Sequence, residues 1–157
     1  MTSVLAICIA LLYCISTDAI CDSIGPGSVP ENLRSFVDSL YPDASQIKWE
    51  KENDLWEAEI CEEDGEVSIL LDEMGSVIET ETEIVPDALP RAVEESIKVH
   101  YPDTIIKEAE HVKSPEKEWY VVEVSDGFEI LIDSVGNIFS EDDKTDDDTE
   151  ESEDSHD

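Results

Sequence analysis

Glu79, Glu81 and Glu83 alternate with Ile78, Thr80 and Thr82. In an extended strand that alternation sets three carboxylates along one side, ~7 Å apart, where cations or a basic partner would meet them. On an edge strand the same row would be a solvated outer face that discourages aggregation. A second set is aromatic: Trp49, Trp56, Trp119 and Tyr120. Such side chains give a recognition surface large contact area at low entropic cost, and they equally fill a core. Trp119 and Tyr120 are adjacent and so point to opposite faces of a strand, which sends one of them away from any covering helix. Catalysis has little to work with. His100, His111 and His156 have no nucleophile at readable spacing, and the sequence holds neither a Gly-rich phosphate loop nor a Cys/His cluster for zinc. The chain is therefore read as non-enzymatic, with no cofactor.

Charge narrows the choice of partner. The 157 residues hold 42 Asp and Glu against 9 Lys and Arg, a net charge of −33. A polyphosphate backbone or an anionic membrane surface would be repelled, which excludes nucleic acid. Hydrophobic residues still make up 40 % of the chain, enough for a core. The segment 142–157 is almost wholly acidic and polar and cannot offset the entropy of ordering, so it is expected to be a disordered acidic tail. Its carboxylates lack the Gly and fixed spacing of a calcium loop, which leaves at most weak, diffuse calcium binding there and along Glu79, Glu81 and Glu83.

At the other end, Val4 to Ile15 is an apolar run too short to span a bilayer and placed where a secretory signal belongs, with small residues before a cleavage point after Ala19. Residues 1–19 are read as a signal peptide and 20–28 as a linker, so the mature chain would have no transmembrane segment and would be periplasmic or secreted. Cys8 and Cys14 leave with the signal. Cys21 and Cys61 remain, as a disulfide, as separate thiols, or with Cys21 lipid-anchored at a new N-terminus.

The elements that would position these groups recur. Val29-Pro30 and Leu89-Pro90 each open a helical pattern and Tyr41-Pro42-Asp43 and Tyr101-Pro102-Asp103 each close one, at an offset of 60. Leu33, Phe36, Val37 and Leu40 form the first apolar stripe, and Val93, Ile97 and Tyr101 the second, where Ser96 and His100 replace Phe36 and Leu40. Strand alternation follows each helix, punctuated by Asp64-Gly65 and Asp126-Gly127, and by Asp72-x-x-Gly75 and Asp133-x-x-Gly136. The expected fold is α+β, with two tandem repeats at 29–84 and 85–141, each an N-terminal helix packed on an antiparallel sheet of three to four strands.

This order of Val/Leu-Pro, helix, Tyr-Pro-Asp, Trp56-Glu57 or Tyr120-x-Val122-Glu123-Val124, Asp-Gly, apolar strand and Asp-x-x-Gly resembles the PepSY-like, or β-lactamase-inhibitor-like, family, over about 29–83 and again over 89–141. The resemblance implies an exported α+β module related in shape to a protein inhibitor of β-lactamase. The expected function is a binding or inhibitory module for another extracytoplasmic protein, such as an envelope or secreted enzyme, with Trp119, Tyr120, Trp56 and Trp49 as the contact residues. The alternative is an acidic cation-binding protein acting in calcium buffering or mineral contact.

Overall fold

The computed structural model describes residues 26–62 and 65–143. The expected signal peptide, Cys21, and residues 144–157 of the expected tail lie outside them. The described chain runs as helix α1 (Glu31–Leu40), strands β1 (Ile47–Glu52), β2 (Leu55–Glu62), β3 (Gly65–Asp72) and β4 (Val77–Ile84), helix α2 (Arg91–His100), then β5 (Ile106–Lys113), β6 (Glu118–Val124), β7 (Phe128–Ile132) and β8 (Ile138–Asp143). Short 3-10 turns at Pro26–Ser28 and Pro86–Ala88 precede the helices.

Proline sets both helix starts. Pro30 and Pro90 stand just before the first helical residue, and their carbonyls accept the first helical N–H groups, from Leu33 and Arg34 at 3.1 Å and from Val93 and Glu94 at 2.9 and 3.1 Å. Each helix ends at a tyrosine followed by Pro42 or Pro102, whose missing N–H and bulky ring forbid another turn. Leu33 and Val37, and Val93 and Ile97, are the buried positions of the two helices. Leu40, the last residue of the first predicted stripe, is half exposed at the helix end.

The strands form one antiparallel sheet of eight in the order β1 to β8. This corrects the expected pair of tandem units with their own sheets. β4 does not end a first sheet: it pairs with β5 through Thr80 with Lys113, Thr82 with His111 and Ile84 with Ala109. The physical reason is the cost of an edge. Two separate sheets would each leave a row of backbone donors and acceptors unpaired at β4 and β5, and joining them satisfies both rows. The same pairing overturns the edge-strand reading of Glu79, Glu81 and Glu83, because β4 is an interior strand.

Both helices pack on one face of the sheet. Under α1 lie Trp49, Trp56, Ala58, Ile60, Val67, Ile69 and Leu71. Under α2 lie Ala109, Tyr120, Val122, Val124, Ile130 and Ile132. A third apolar cluster, Val112, Trp119, Val121 and Leu131, belongs to the other face, since these residues alternate with those beneath α2.

The β3–β4 and β7–β8 connections are built alike. Asp72 Oδ1 accepts from the N–H groups of Met74 and Ser76 at 2.9 and 2.7 Å, and Asp133 Oδ1 from those of Val135 and Asn137 at 3.0 and 2.8 Å. These bonds hold the Asp72 and Asp133 carboxyls below the usual carboxylate range. Gly75 and Gly136 sit at φ 89° and 91°, where a side chain is strained. Gly136 is also pressed against α2. A Cβ there would lie 2.7 Å from the Ala92 carbonyl oxygen, and the Ser96 hydroxyl donates to the Gly136 carbonyl at 2.8 Å. Ser96 in place of a larger residue is what admits the turn so close to the helix.

Candidate functional site

The sheet face opposite the helices carries a set of carboxylates from several strands. Alternation along β2, β4 and β5 turns Glu57 and Glu59, Glu79, Glu81 and Glu83, and Glu108 and Glu110 toward it, while Ala58, Thr80, Thr82 and Ala109 turn toward the helices. Cross-strand register then aligns one row over six strands: Lys48, Glu59, Ser68, Glu81, Val112 and Trp119. Residues directly opposite in neighbouring strands share a face and touch.

Like charges are opposite each other at several cross-strand positions, among them Glu50 with Glu57, Glu83 with Glu110, Glu108 with Glu123, and Glu123 with Glu129. Such pairs destabilise a sheet. On the helix side the corresponding charged pair is of opposite sign, Lys113 with Glu118. The carboxylate face is therefore costly to fold.

Glu81 is its centre. It is only 8 % exposed, and its pKa is pushed up to about 9, first by burial, then by the hydrogen bond it shares with Glu79 and by the neighbouring charges of Glu110, Glu79 and Glu57. At neutral pH it is a carboxylic acid. Burial and the charge of Glu59 also raise Glu66, against the opposing pull of Lys48. Lysine meets the face at its flanks, where Lys48 Nζ lies 3.2 Å from Glu59 and Lys107 Nζ lies 3.4 Å from Glu123. Glu83 Oε2 accepts from the Glu66 N–H at 3.2 Å.

At the other end of the row, Trp119 is 3 % exposed and its indole Nε1 is buried with no hydrogen-bond acceptor among the described residues. Lys117 Nζ stands 4.5 Å from the Trp119 ring centre and 5.4 Å from that of Phe139. An indole N–H normally finds an acceptor when buried, so this one is a cost the fold alone does not explain.

The four aromatic residues singled out from the sequence are thus divided. Trp49 and Trp56 are core residues beneath α1, and Tyr120 is a core residue beneath α2, stacked on His111 with ring centres 4.7 Å apart. Trp119 lies on the opposite face. Of the predicted carboxylate row, Glu81 is buried, Glu79 half-buried and Glu83 exposed. The wider face escaped the sequence reading, although Glu57-Ala58-Glu59 and Glu108-Ala109-Glu110 carry the same alternation as Glu79 to Glu83. Among the described residues no group of three or more His, Cys, Asp or Glu side chains is arranged to hold a metal ion. His111 Nε2 lies 3.3 Å from Glu118, His100 Nδ1 lies 2.9 Å from the Ser96 carbonyl oxygen, and Cys61 is exposed and has no disulfide partner among the described residues.

Comparison with known proteins gives this architecture relatives. Residues 72–140 match the family model described as "Putative beta-lactamase-inhibitor-like, PepSY-like". The match takes in β4, α2 and the whole of β5 to β7. A BLIP-like protein from Bacteroides fragilis is similar in structure, with a TM-score of 0.63 and 25 % sequence identity over 76 % of this chain and 90 % of that one. One of the "putative periplasmic proteins" of Bacteroides eggerthii superposes with a TM-score of 0.67 at 16 % identity, covering 73 % of this chain and 88 % of that one. A DUF2874 family protein from Bacteroides uniformis gives 0.65 at 18 % identity, over 72 % and 88 %. None of the curated protein sequences matches the chain. Over residues 72–140 the chain thus matches the PepSY-like, β-lactamase-inhibitor-like model, and its fold is similar to that of a BLIP-like protein, a form consistent with a non-enzymatic binding module. Among the described residues no helix is long and apolar enough to cross a membrane.

Proposed function

We propose that this chain is an exported, non-enzymatic module that binds, and by binding inhibits or restrains, another extracytoplasmic protein, and that it does so with the sheet face opposite its helices. The observation that carries the reading is the composition of that face. Like-charge cross-strand pairs and a buried indole N–H with no acceptor among the described residues are stability costs gathered on one surface. Local rules of stability are broken in this way where a protein has a site to build. The likeness to a BLIP-like protein supports a protein ligand, and the likeness to proteins described as periplasmic supports the compartment. Neither names the partner, since function resides in sites and not in folds.

The test is affinity capture from the source's envelope and culture fluid with the mature chain, compared with Trp119→Phe and with Val99→Ala on exposed α2. Capture weakened by the first and kept by the second supports the reading. Equal capture by both, with both variants folded, contradicts it.

A further inference from the structure

Among the described residues β1 has a neighbour on one side only, β2, and its other side is an open edge of the sheet. We propose that residues 20–24, the first of the chain expected after cleavage at Ala19, add a ninth strand along that edge. It runs antiparallel to β1, with Ile24 opposite Trp49, Asp22 opposite Lys51 and Ile20 opposite Asn53.

The second half of the chain shows the arrangement complete. β4 ends at Ile84, Val85 carries the backbone on in extended form to the 3-10 turn Pro86–Ala88, and Leu89-Pro90 leads into α2. β4 then lies against β5, the strand that follows α2. The first half has the same parts 60 residues earlier, from the turn Pro26–Ser28 through Val29-Pro30 and the helix to β1. Val29 and Leu89 are each 5 % exposed, at matching places in the clusters beneath the two helices. Only β4 has no described counterpart. Its pairing of Ile84 with Ala109, Thr82 with His111 and Thr80 with Lys113, moved back by the same 60 residues, is the register given above.

The residues fit that register. Ile24 takes the place of Ile84, which packs against the cluster beneath α2, and its partner Trp49 belongs to the cluster beneath α1. Asp22 and Lys51 are of opposite charge, which favours a cross-strand pair. Ile20 is the last residue β1 can serve, because β1 ends at Glu52 and the chain turns at Asn53, where φ is 55°. Cleavage after Ala19 therefore leaves a segment that ends flush with β1. Its backbone gives partners to the row of donors and acceptors that an edge leaves unpaired. Tethered to Pro26 through Gly25, it meets that edge at high effective concentration, whereas a second copy brings a net charge of −33 against the same charge. The register also decides between the fates open to Cys21 and Cys61. Cys21 stands opposite Glu52, and Cys61 lies next to Ile60, the partner of Ile47 at the far end of β1. The two are about 20 Å apart along the strands. A disulfide needs Cα atoms within about 7 Å, so none joins them within one chain.

The experiment follows amide hydrogen exchange by NMR in residues 20–157 and in a variant lacking residues 20–24. The β1 amides that point away from β2 are expected to exchange about tenfold or more slower in the longer chain. Amides of β6 and β7, unchanged between the two, report that the variant folds. A second arm needs no deletion. In a Cys21→Ser/Cys61→Ser background, Asp22→Cys/Lys51→Cys should close an intramolecular disulfide on mild oxidation, read by peptide mass mapping. Asp22→Cys/Glu50→Cys should not, since neighbouring residues of β1 turn to opposite faces. Equal exchange of the β1 amides in the two chains, or disulfides formed equally by the two cysteine pairs, would overturn the proposal. Protection of β1 that appears only as protein concentration rises gives the edge to a second copy and overturns it as well. So does a Cys21–Cys61 disulfide within one unaltered chain.

Discussion

The two faces of the sheet are made by the same strands and obey different rules. Toward the helices, β2, β3, β6 and β7 present Ile60, Ile69, Val122, Ile130 and their neighbours, all buried and all apolar. On the other side the same strands present Glu57, Glu59, Glu123 and Glu129, with the small cluster about Trp119 among them. The first face repays folding and the second taxes it. One strand set can do both because alternation decouples its faces, so a surface can be altered for binding while the core beneath the helices is kept.

The contrast is sharpest in core truncations. Ile130→Ala, in the large cluster under α2, should cost about 2–5 kcal/mol, whereas Leu131→Ala, its neighbour in the four-residue cluster, should fall at or below the low end of that range. Urea unfolding of both checks the order, and a larger loss for Leu131 would break it. Next come the turns that fasten the helix side. Gly75→Ala should cost about 1–2 kcal/mol from its positive φ alone. Gly136→Ala should cost more, because its Cβ also meets the Ala92 carbonyl oxygen.

Charge on the second face gives a pH signature. Glu81 has a raised folded-state pKa, so its contribution is fully present below the ordinary carboxylate range and is lost as pH rises toward about 9. The thermal midpoint should decline across that window, and Glu81→Gln should flatten the decline and be relatively most stabilising at its alkaline end. Asp72 and Asp133 act in the opposite sense: their lowered pKa values stabilise above the ordinary carboxylate range, and that contribution is lost as pH falls through the folded values. Melting curves of the wild type and Glu81→Gln against pH separate the two. The smallest effect expected is that of Ser96→Ala, about 1 kcal/mol for the lost hydrogen bond to Gly136, from the same urea series.

Much of the helix side was legible in the sequence. Pro30, Pro90, Pro42 and Pro102 bound the helices because proline acts through its own backbone, and Asp-x-x-Gly announces its turn because the aspartate bonds to residues two and four positions on. Whether two strand sets join is a different matter. It depends on β4 finding β5 across a connection that contains α2, and no local pattern in Ile78 to Glu83 states which neighbour lies on either side. The face of Trp119 was equally hidden. Adjacency with Tyr120 tells that the two diverge, and only the position of α2 tells that Tyr120 is the inner one. Glu81 shows the same limit, since a carboxylate in an alternating strand reads as solvated until β5 brings Glu110 to it and β2, one strand beyond β3, brings Glu57.

The division into a structural face and a proposed binding face is tested most directly by carbodiimide labelling of carboxyl groups in the protein, alone and with a captured partner, read residue by residue by mass spectrometry. The account predicts that the partner protects Glu57, Glu79 and Glu110 and leaves Glu31, Glu94 and Glu95 on the helices labelled as before. Protection of the helix glutamates, with Glu57, Glu79 and Glu110 unchanged, would contradict it.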